Sequence, residues 1–270
     1  MTIQLSAGTA LITGASTGIG AVYADRLARR GYDLILVARN KERLQTLASR
    51  LSADTGSAVE IIAADLNDKA DLARVENVLR TDSSITLLLN NAGVGAASPL
   101  LDSDIEKMEA MISLNVSALT RLTYAAVPGF VARGAGTIIN MASIVAIAPE
   151  ILNGVYGGSK AFVLALSQSL HHELASKGLR VQAVLPGATA TEFWDVAGMP
   201  VENLPKEIVM KATDLVDAAL AGLDLGEVVT IPALPEAAEW DAYEAARRAM
   251  SPKLSQSLPA QRYTAKKLAA

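Results

Sequence analysis

Tyr156 and Lys160 stand four residues apart in the stretch Asn153–Lys177, which reads as a helix, so their side chains share one face. A phenol keeps its proton at neutral pH, with a pKa near ~10, and a neighbouring ammonium favours the phenolate and lowers that value. A tyrosine placed in this way can give or take a proton during a reaction. The pair alone says little, because tyrosine and lysine at helical spacing are commonplace.

A second constellation lies near the N-terminus. The run Thr13-Gly14-Ala15-Ser16-Thr17-Gly18-Ile19-Gly20 follows the apolar segment Ala10–Thr13 and precedes a helical stretch, Ala21–Arg30. Glycines here allow a tight turn and let a backbone approach a diphosphate, while the helix N-terminus adds free N–H groups and the positive end of its dipole. The spacing is G-x-x-x-G-x-G rather than G-x-G-x-x-G, and such a turn can also be purely structural. The next strand ends Val37-Ala38-Arg39-Asn40, at the place where NAD enzymes often carry an acid for the ribose hydroxyl. Arg39 would attract a ribose 2′-phosphate that an acid would repel, so the expected cofactor is NADP(H). The plain alternative is a solvated arginine opening the helix Lys41–Leu51.

These groups need a scaffold, and the hydrophobic pattern supplies one. Ala10–Thr13, Leu34–Ala38, Val59–Ala63, Thr86–Leu89, Thr137–Met141, Val181–Leu185 and Val228–Ile231 read as strands, several of them apolar without alternation. That pattern belongs to strands covered on both faces. Amphipathic stretches such as Lys41–Leu51 and Lys69–Arg80 lie between them. The expected fold is α/β: one Rossmann-type domain, a doubly wound parallel sheet of about seven strands with helices on both faces. It should span 1–250, including a substrate loop at 188–210 of mostly apolar composition, and leave 251–270 as a C-terminal tail. Glu236–Met250 reads as one helix.

Composition narrows the classes further. Of 270 residues, 51% are hydrophobic and 19% charged, with a net charge of −4, so a large core is expected and a basic nucleic-acid surface is not. No cysteine is present, which excludes disulfides, thiolate zinc sites and a cysteine nucleophile. Met1–Gly8 has no signal-peptide pattern and no apolar run approaches a membrane span, which favours a cytoplasmic protein.

Taken in order, Thr13–Gly20, Asn90-Asn91-Ala92-Gly93, Asn115, Ser143, Tyr156–Lys160 and Pro186-Gly187 make the chain resemble the classical short-chain dehydrogenase/reductase family from about Thr9 to Ile231. The resemblance implies that Tyr156 is the general acid in reduction and the base in oxidation. Lys160 would lower the Tyr156 pKa and bind the nicotinamide ribose, Ser143 would hold the substrate carbonyl, and Asn115 would position a water in the proton relay. Gly14, Ser16, Thr17, Gly18, Ile19 and Gly20 would cradle the diphosphate. Asp65, with Leu66 beside it, would face the adenine. Asn90, Asn91, Ala92 and Gly93 would line the cofactor cleft, and Pro186, Gly187, Thr191 and the neighbouring Thr189 would flank the nicotinamide carboxamide. Structural readings stand beside these: turn chemistry for Asn90 and Asn91, and a capping hydroxyl for Ser143.

The implied activity is NADP(H)-dependent interconversion of a carbonyl and an alcohol. The alternatives are a cofactor-sensing regulatory protein without turnover, and a sugar-nucleotide epimerase. The first usually lacks the tyrosine or the lysine; the second usually carries a larger segment after the last strand. No metal is expected, since His171 and His172 have no third ligand at sensible spacing. The acidic run Asp102, Asp104 and Glu106 reads as the opening of a helix. Family habit implies a homotetramer or homodimer through helices at 103–133 and 153–177. Gly157 and Gly158, inside the helix with Tyr156, each cost about 1 kcal/mol against alanine and have no evident reason in the sequence.

Overall fold

The computed structural model describes residues 7–263; expectations made for residues 1–6 and 264–270 lie outside these. The chain divides into two compact units, Met1–Pro232 and Ala233–Ala270.

The first unit is a Rossmann-type α/β domain. Its strands β1 (Thr9–Thr13), β2 (Asp33–Ala38), β3 (Val59–Ala63), β4 (Ile85–Asn90), β5 (Gly136–Met141), β6 (Leu179–Val184) and a short last strand, Val229–Thr230, form one sheet. Its order is β3-β2-β1-β4-β5-β6 followed by Val229–Thr230, and every pairing is parallel. Successive strand residues feed opposite faces. Leu34 and Leu36 join a core under helices α1 (Gly18–Arg29) and α2 (Lys41–Thr55), and Ile35 and Val37 join the other, under α3 (Lys69–Thr81). Most strand positions are therefore apolar on both faces, as expected of a doubly covered parallel sheet, with Glu60, Asn90, Asn140, Arg180 and Gln182 among the polar exceptions.

Local chemistry sets the helix ends. Asn40 accepts a hydrogen bond from Arg43 N to cap α2, and Asp68 accepts from Ala70 N and Asp71 N to cap α3. Helix α4 (Ile105–Ile112) is capped by Asp104, matching the acidic opening expected there. It runs through a π-helical turn, Ser113–Ala118, into α5 (Leu119–Arg133), which ends at Gly134 with φ +67°. Helix α6 (Gly154–Leu174) carries Tyr156 and Lys160.

The 188–210 segment has structure of its own. Its ends pair as two-residue strands, β7 (Thr189–Ala190) with β8 (Met210–Lys211), and it contains a short helix α7 (Phe193–Ala197). Helix α8 (Ala212–Asp224) follows and packs on the α1 face of the sheet. Val229–Thr230 closes the sheet as β9.

The second unit holds α9 (Ala237–Met250), where Trp240 and Tyr243 stack with centroids 5.2 Å apart. The expected domain boundary at 250 differs from this division, which groups α9 with the residues after it. No described helix is long and apolar enough to cross a membrane.

The two glycines of α6 differ in kind. A Cβ on Gly157 would lie 3.0 Å from Pro149 Cβ and 3.2 Å from Pro149 Cα, so the missing side chain lets α6 meet the turn at 149–151. A Cβ on Gly158 would meet nothing within 4 Å, and its φ is not positive. Gly158→Ala should therefore stabilise the protein by about 1 kcal/mol. Chemical denaturation checks this; a loss of stability would show that another surface occupies that face.

Candidate active site

The glycine turn is fastened to the end of β4. Thr13 Oγ1 donates to Leu89 O at 3.2 Å and accepts from the N–H groups of Asn91 and Ala92, each at 3.0 Å. Asn91 Nδ2 donates back to Thr13 O at 2.9 Å and Gly14 O at 3.1 Å. Gly14 has φ +65°, and a Cβ there would lie 2.9 Å from Ala92 Cα. The backbones of the two strand ends thus meet where only glycine fits, at the point where the strand order reverses.

Helix α1 starts at this turn. Its N-cap, Thr17, makes no side-chain cap hydrogen bond, and its first turn contains no acid. By contrast α2, α3, α4 and α6 are capped by Asn40, Asp68, Asp104 and Asn153. The open N–H groups around Thr17, Gly18, Ile19 and Gly20 suit an anion such as a dinucleotide diphosphate. Ser16 lines an adjoining groove with Arg43, Thr46 and Arg50. Arg39, just past β2, is exposed.

Asp65 caps its own turn, accepting from Asn67 N at 3.0 Å, whereas the Leu66 side chain is buried in the core. Leu66 can face a ligand only through its backbone. Asn90 also turns inward: its Nδ2 donates to Thr123 Oγ1 at 3.1 Å and Asn140 Oδ1 at 2.9 Å. Asn140 continues the chain to Ser167 at 2.9 Å. This buried polar network ties β4, β5, α5 and α6 together beneath the site, and Asn90 belongs to it rather than to the cleft wall.

Ser143, Tyr156 and Lys160 converge past the ends of β5 and β6. Ser143 caps a 3-10 turn by accepting from Val145 N at 3.4 Å, donates to Pro186 O at 3.3 Å, and lies beside the Tyr156 hydroxyl. Its capping role and its place beside the tyrosine coexist. Lys160 Nζ donates to Met141 O at 2.8 Å and lies 5.9 Å from the Tyr156 ring centroid. Asn115 lies in the π turn, a feature frequent at functional sites. Its Oδ1 accepts from Val94 N at 3.0 Å, and its Nδ2 donates to Val94 O at 2.9 Å and Ser159 Oγ at 3.1 Å. A Cβ on Gly93 would lie 3.0 Å from Asn115 Oδ1 and 3.4 Å from Lys160 Nζ, so these three residues meet.

Burial governs the protonation of the pair. It pushes the Tyr156 phenol up to about 12, opposed by the Ser143 hydroxyl beside it, and pulls Lys160 down to about 8. The depression of the tyrosine expected from Lys160 is not what this geometry produces. In the ligand-free protein the Lys160 ammonium binds Met141 O rather than the phenol oxygen, and burial sets the direction of the tyrosine shift.

The 188–210 segment closes one side. Pro186 O accepts from Ile144 N at 3.0 Å, and a Cβ on Gly187 would lie 3.9 Å from Ile144 Cδ1. Thr189 is buried, with its hydroxyl on Gly187 O at 3.1 Å. Thr191 is half-buried and stands against the glycine turn: a Cβ on Gly18 would lie 3.2 Å from its Cγ2. Phe193 lies 5.8 Å from the Tyr156 ring and packs on Gly95, where no side chain would fit. Trp194 is buried and donates from Nε1 to Thr189 O at 2.9 Å, so it holds the loop down.

Three contributors escaped the sequence reading. Asn153 caps α6 and donates to Ser98 O at 2.7 Å and Ser103 Oγ at 2.9 Å; Ser159 links Asn115 to Tyr156 O; Gly95 seats Phe193. Only Asn153 carried a signal, as a capping residue before the helix.

Residues 8–198 match the family model for short chain dehydrogenases. A short-chain dehydrogenase from Sphingobium yanoikuyae, solved in complex with NADPH, is 52% identical, with a TM-score of 0.92 over 95% of this chain and 99% of that one. A bulky-bulky ketone specific alcohol dehydrogenase from Comamonas testosteroni is 45% identical, with a TM-score of 0.88 over 96% and 99%. A serine 3-dehydrogenase from Rhizobium radiobacter is 36% identical over 191 residues, 69% of this chain and 74% of that one.

The buried lysine yields a pH test on the ligand-free protein. Its folded pKa of about 8 lies below the ordinary 10.5. Between these values the unfolded chain carries a proton that the folded one has shed, so stability rises with pH across that window. Below about 8 the folded protein bears the full cost of the buried charge. Relative to Lys160→Met, the wild type should gain up to about 3 kcal/mol from pH 8 to 10.5. Denaturation at several pH values measures it; a constant difference would contradict the burial argument.

Proposed function

The chain belongs to the short-chain dehydrogenase family, an oxidoreductase family, and from that premise we propose that it interconverts a ketone or aldehyde and an alcohol with NADP(H), using Tyr156 as proton donor and acceptor. The observation that carries this reading is the convergence of Ser143, Tyr156 and Lys160 within one fold with an anion-ready, uncapped α1. A cofactor-sensing protein would not need that convergence.

When bound, the reduced nicotinamide supplies a hydride to the carbonyl carbon. Ser143 holds the carbonyl oxygen by its hydroxyl, and Tyr156 gives that oxygen its proton as the alkoxide develops, so one C–H and one O–H bond form. A phenol at about 12 is fully protonated at neutral pH, which suits the donor role. Lys160, fixed by Met141 O, offers its remaining protons to the nicotinamide ribose and to the developing phenolate. Asn115 positions a water in the proton relay, and its carboxamide, bonded to Val94 and Ser159, fixes the loop after Gly93 against α6.

Gly14 to Gly20 would hold the diphosphate and Arg39 the 2′-phosphate, consistent with the NADPH bound to the Sphingobium relative. Asp65, Ala92, Gly93, Gly187 and Thr191 would complete the cleft. Half-buried Val94, Leu152 and Phe193 beside Tyr156 favour an apolar substrate, and the Comamonas relative's specificity supports a ketone with bulky substituents. Exposed Ile105, Ile112, Tyr124 and Phe162 support a dimer or tetramer of this chain.

Tyr156→Phe should lower kcat for reduction by about 10²- to 10⁴-fold while NADPH binding stays near wild type. Substantial retained turnover would sink the proton-donor role. Arg39→Asp should shift preference from NADPH toward NADH, read as the ratio of the two dissociation constants. An unchanged ratio would mean that another residue reads the phosphate.

A further inference from the structure

Glu192 follows Thr191 in the 188–210 segment, and Arg43 lies in the first turn of α2. Arg43 Nη1 donates to Glu192 Oε2 at 2.8 Å, joining residues 149 apart in sequence. The arginine backbone is itself fixed, since Arg43 N donates to the capping Asn40. Glu192 is flanked by fixed points. On one side Thr191 stands against Gly18, and on the other α7 is tied by Ala97 N to Ala197 O at 3.1 Å and by Trp194.

The segment therefore crosses from the N-terminus of α1 to the start of α2. In the NADP(H) reading above, on which this inference rests, that is the path from the diphosphate to the adenosine ribose. The groove beside Ser16 is lined by Arg43 as well, so the ion pair borders the same cleft. Arg39 makes no ion pair among the described residues, which leaves it for the phosphate while Arg43 is committed to Glu192.

We propose that Arg43 and Glu192 form a clasp that holds the Thr191–Ala197 segment over the cofactor cleft and slows dissociation of the bound dinucleotide. Both are positioning residues: neither needs to touch the reacting atoms. The pair is half exposed, with side-chain exposures of 50% and 60%, so its contribution is modest and salt-dependent.

Stopped-flow displacement of NADPH and of NADH, with tryptic cleavage at Lys206 of the ligand-free protein, tests the clasp. Glu192→Gln and Arg43→Met should each speed release of both dinucleotides by about two- to fivefold at low salt. The double variant should add little to either single one. Cleavage of ligand-free Glu192→Gln should quicken by a similar factor, because it follows the open population of the loop. Unchanged release and cleavage would overturn the proposal. Tighter NADPH binding by Glu192→Gln, with NADH release unaltered, would overturn it too, by showing that Glu192 masks a second phosphate-binding arginine. Should the wild type bind neither dinucleotide, the cofactor reading fails by itself, and the tryptic comparison decides whether the pair holds the loop.

Discussion

The parallel pairing of β1 with β4 is the constraint from which the site follows. At this junction the strand order reverses, so the connections leave toward opposite sides and open a crevice at the strand ends. Thr13 and Asn91 hold the crevice to one shape: a hydroxyl and a carboxamide make five hydrogen bonds across it, to Leu89 O, Asn91 N, Ala92 N, Thr13 O and Gly14 O. Gly14 can then sit against Ala92, and α1 begins with its N–H groups facing outward and uncapped. One wall of the cleft is set by this joint.

The other wall depends on burial. Asn90, Asn140, Thr123 and Ser167 bind β4 and β5 to α5 and α6, which fixes the height of α6 against the sheet. That placement brings Tyr156 to Ser143 and Lys160 to Met141 O. It also desolvates both groups, so the phenol holds its proton and the ammonium yields its own more readily.

Much of this was legible in the residues because doubly covered strands are mostly apolar on both faces. All seven sheet strands appear within a few residues of their expected limits, and the Arg39 and Tyr156–Lys160 positions lie on the elements expected to carry them. What stayed hidden had physical reasons. The β7–β8 pair has two residues per strand, too few for any periodicity, and the π turn at Ser113–Ala118 has no pattern of its own. Asn90 and Leu66 stand among cleft residues, yet their side chains point into the interior, which adjacency in sequence cannot reveal. Gly157 and Gly158 look alike on paper, and only the packing against Pro149 separates them.

The most direct test follows the hydride. A ketone with two bulky apolar substituents is incubated with NADPH carrying deuterium at the transferable nicotinamide position, and the alcohol is analysed by mass spectrometry. The account predicts one deuterium per alcohol molecule, on the former carbonyl carbon, with label from NADH transferred far more slowly. Alcohol formed without the label, or no alcohol from any ketone or aldehyde despite bound NADPH, would contradict it.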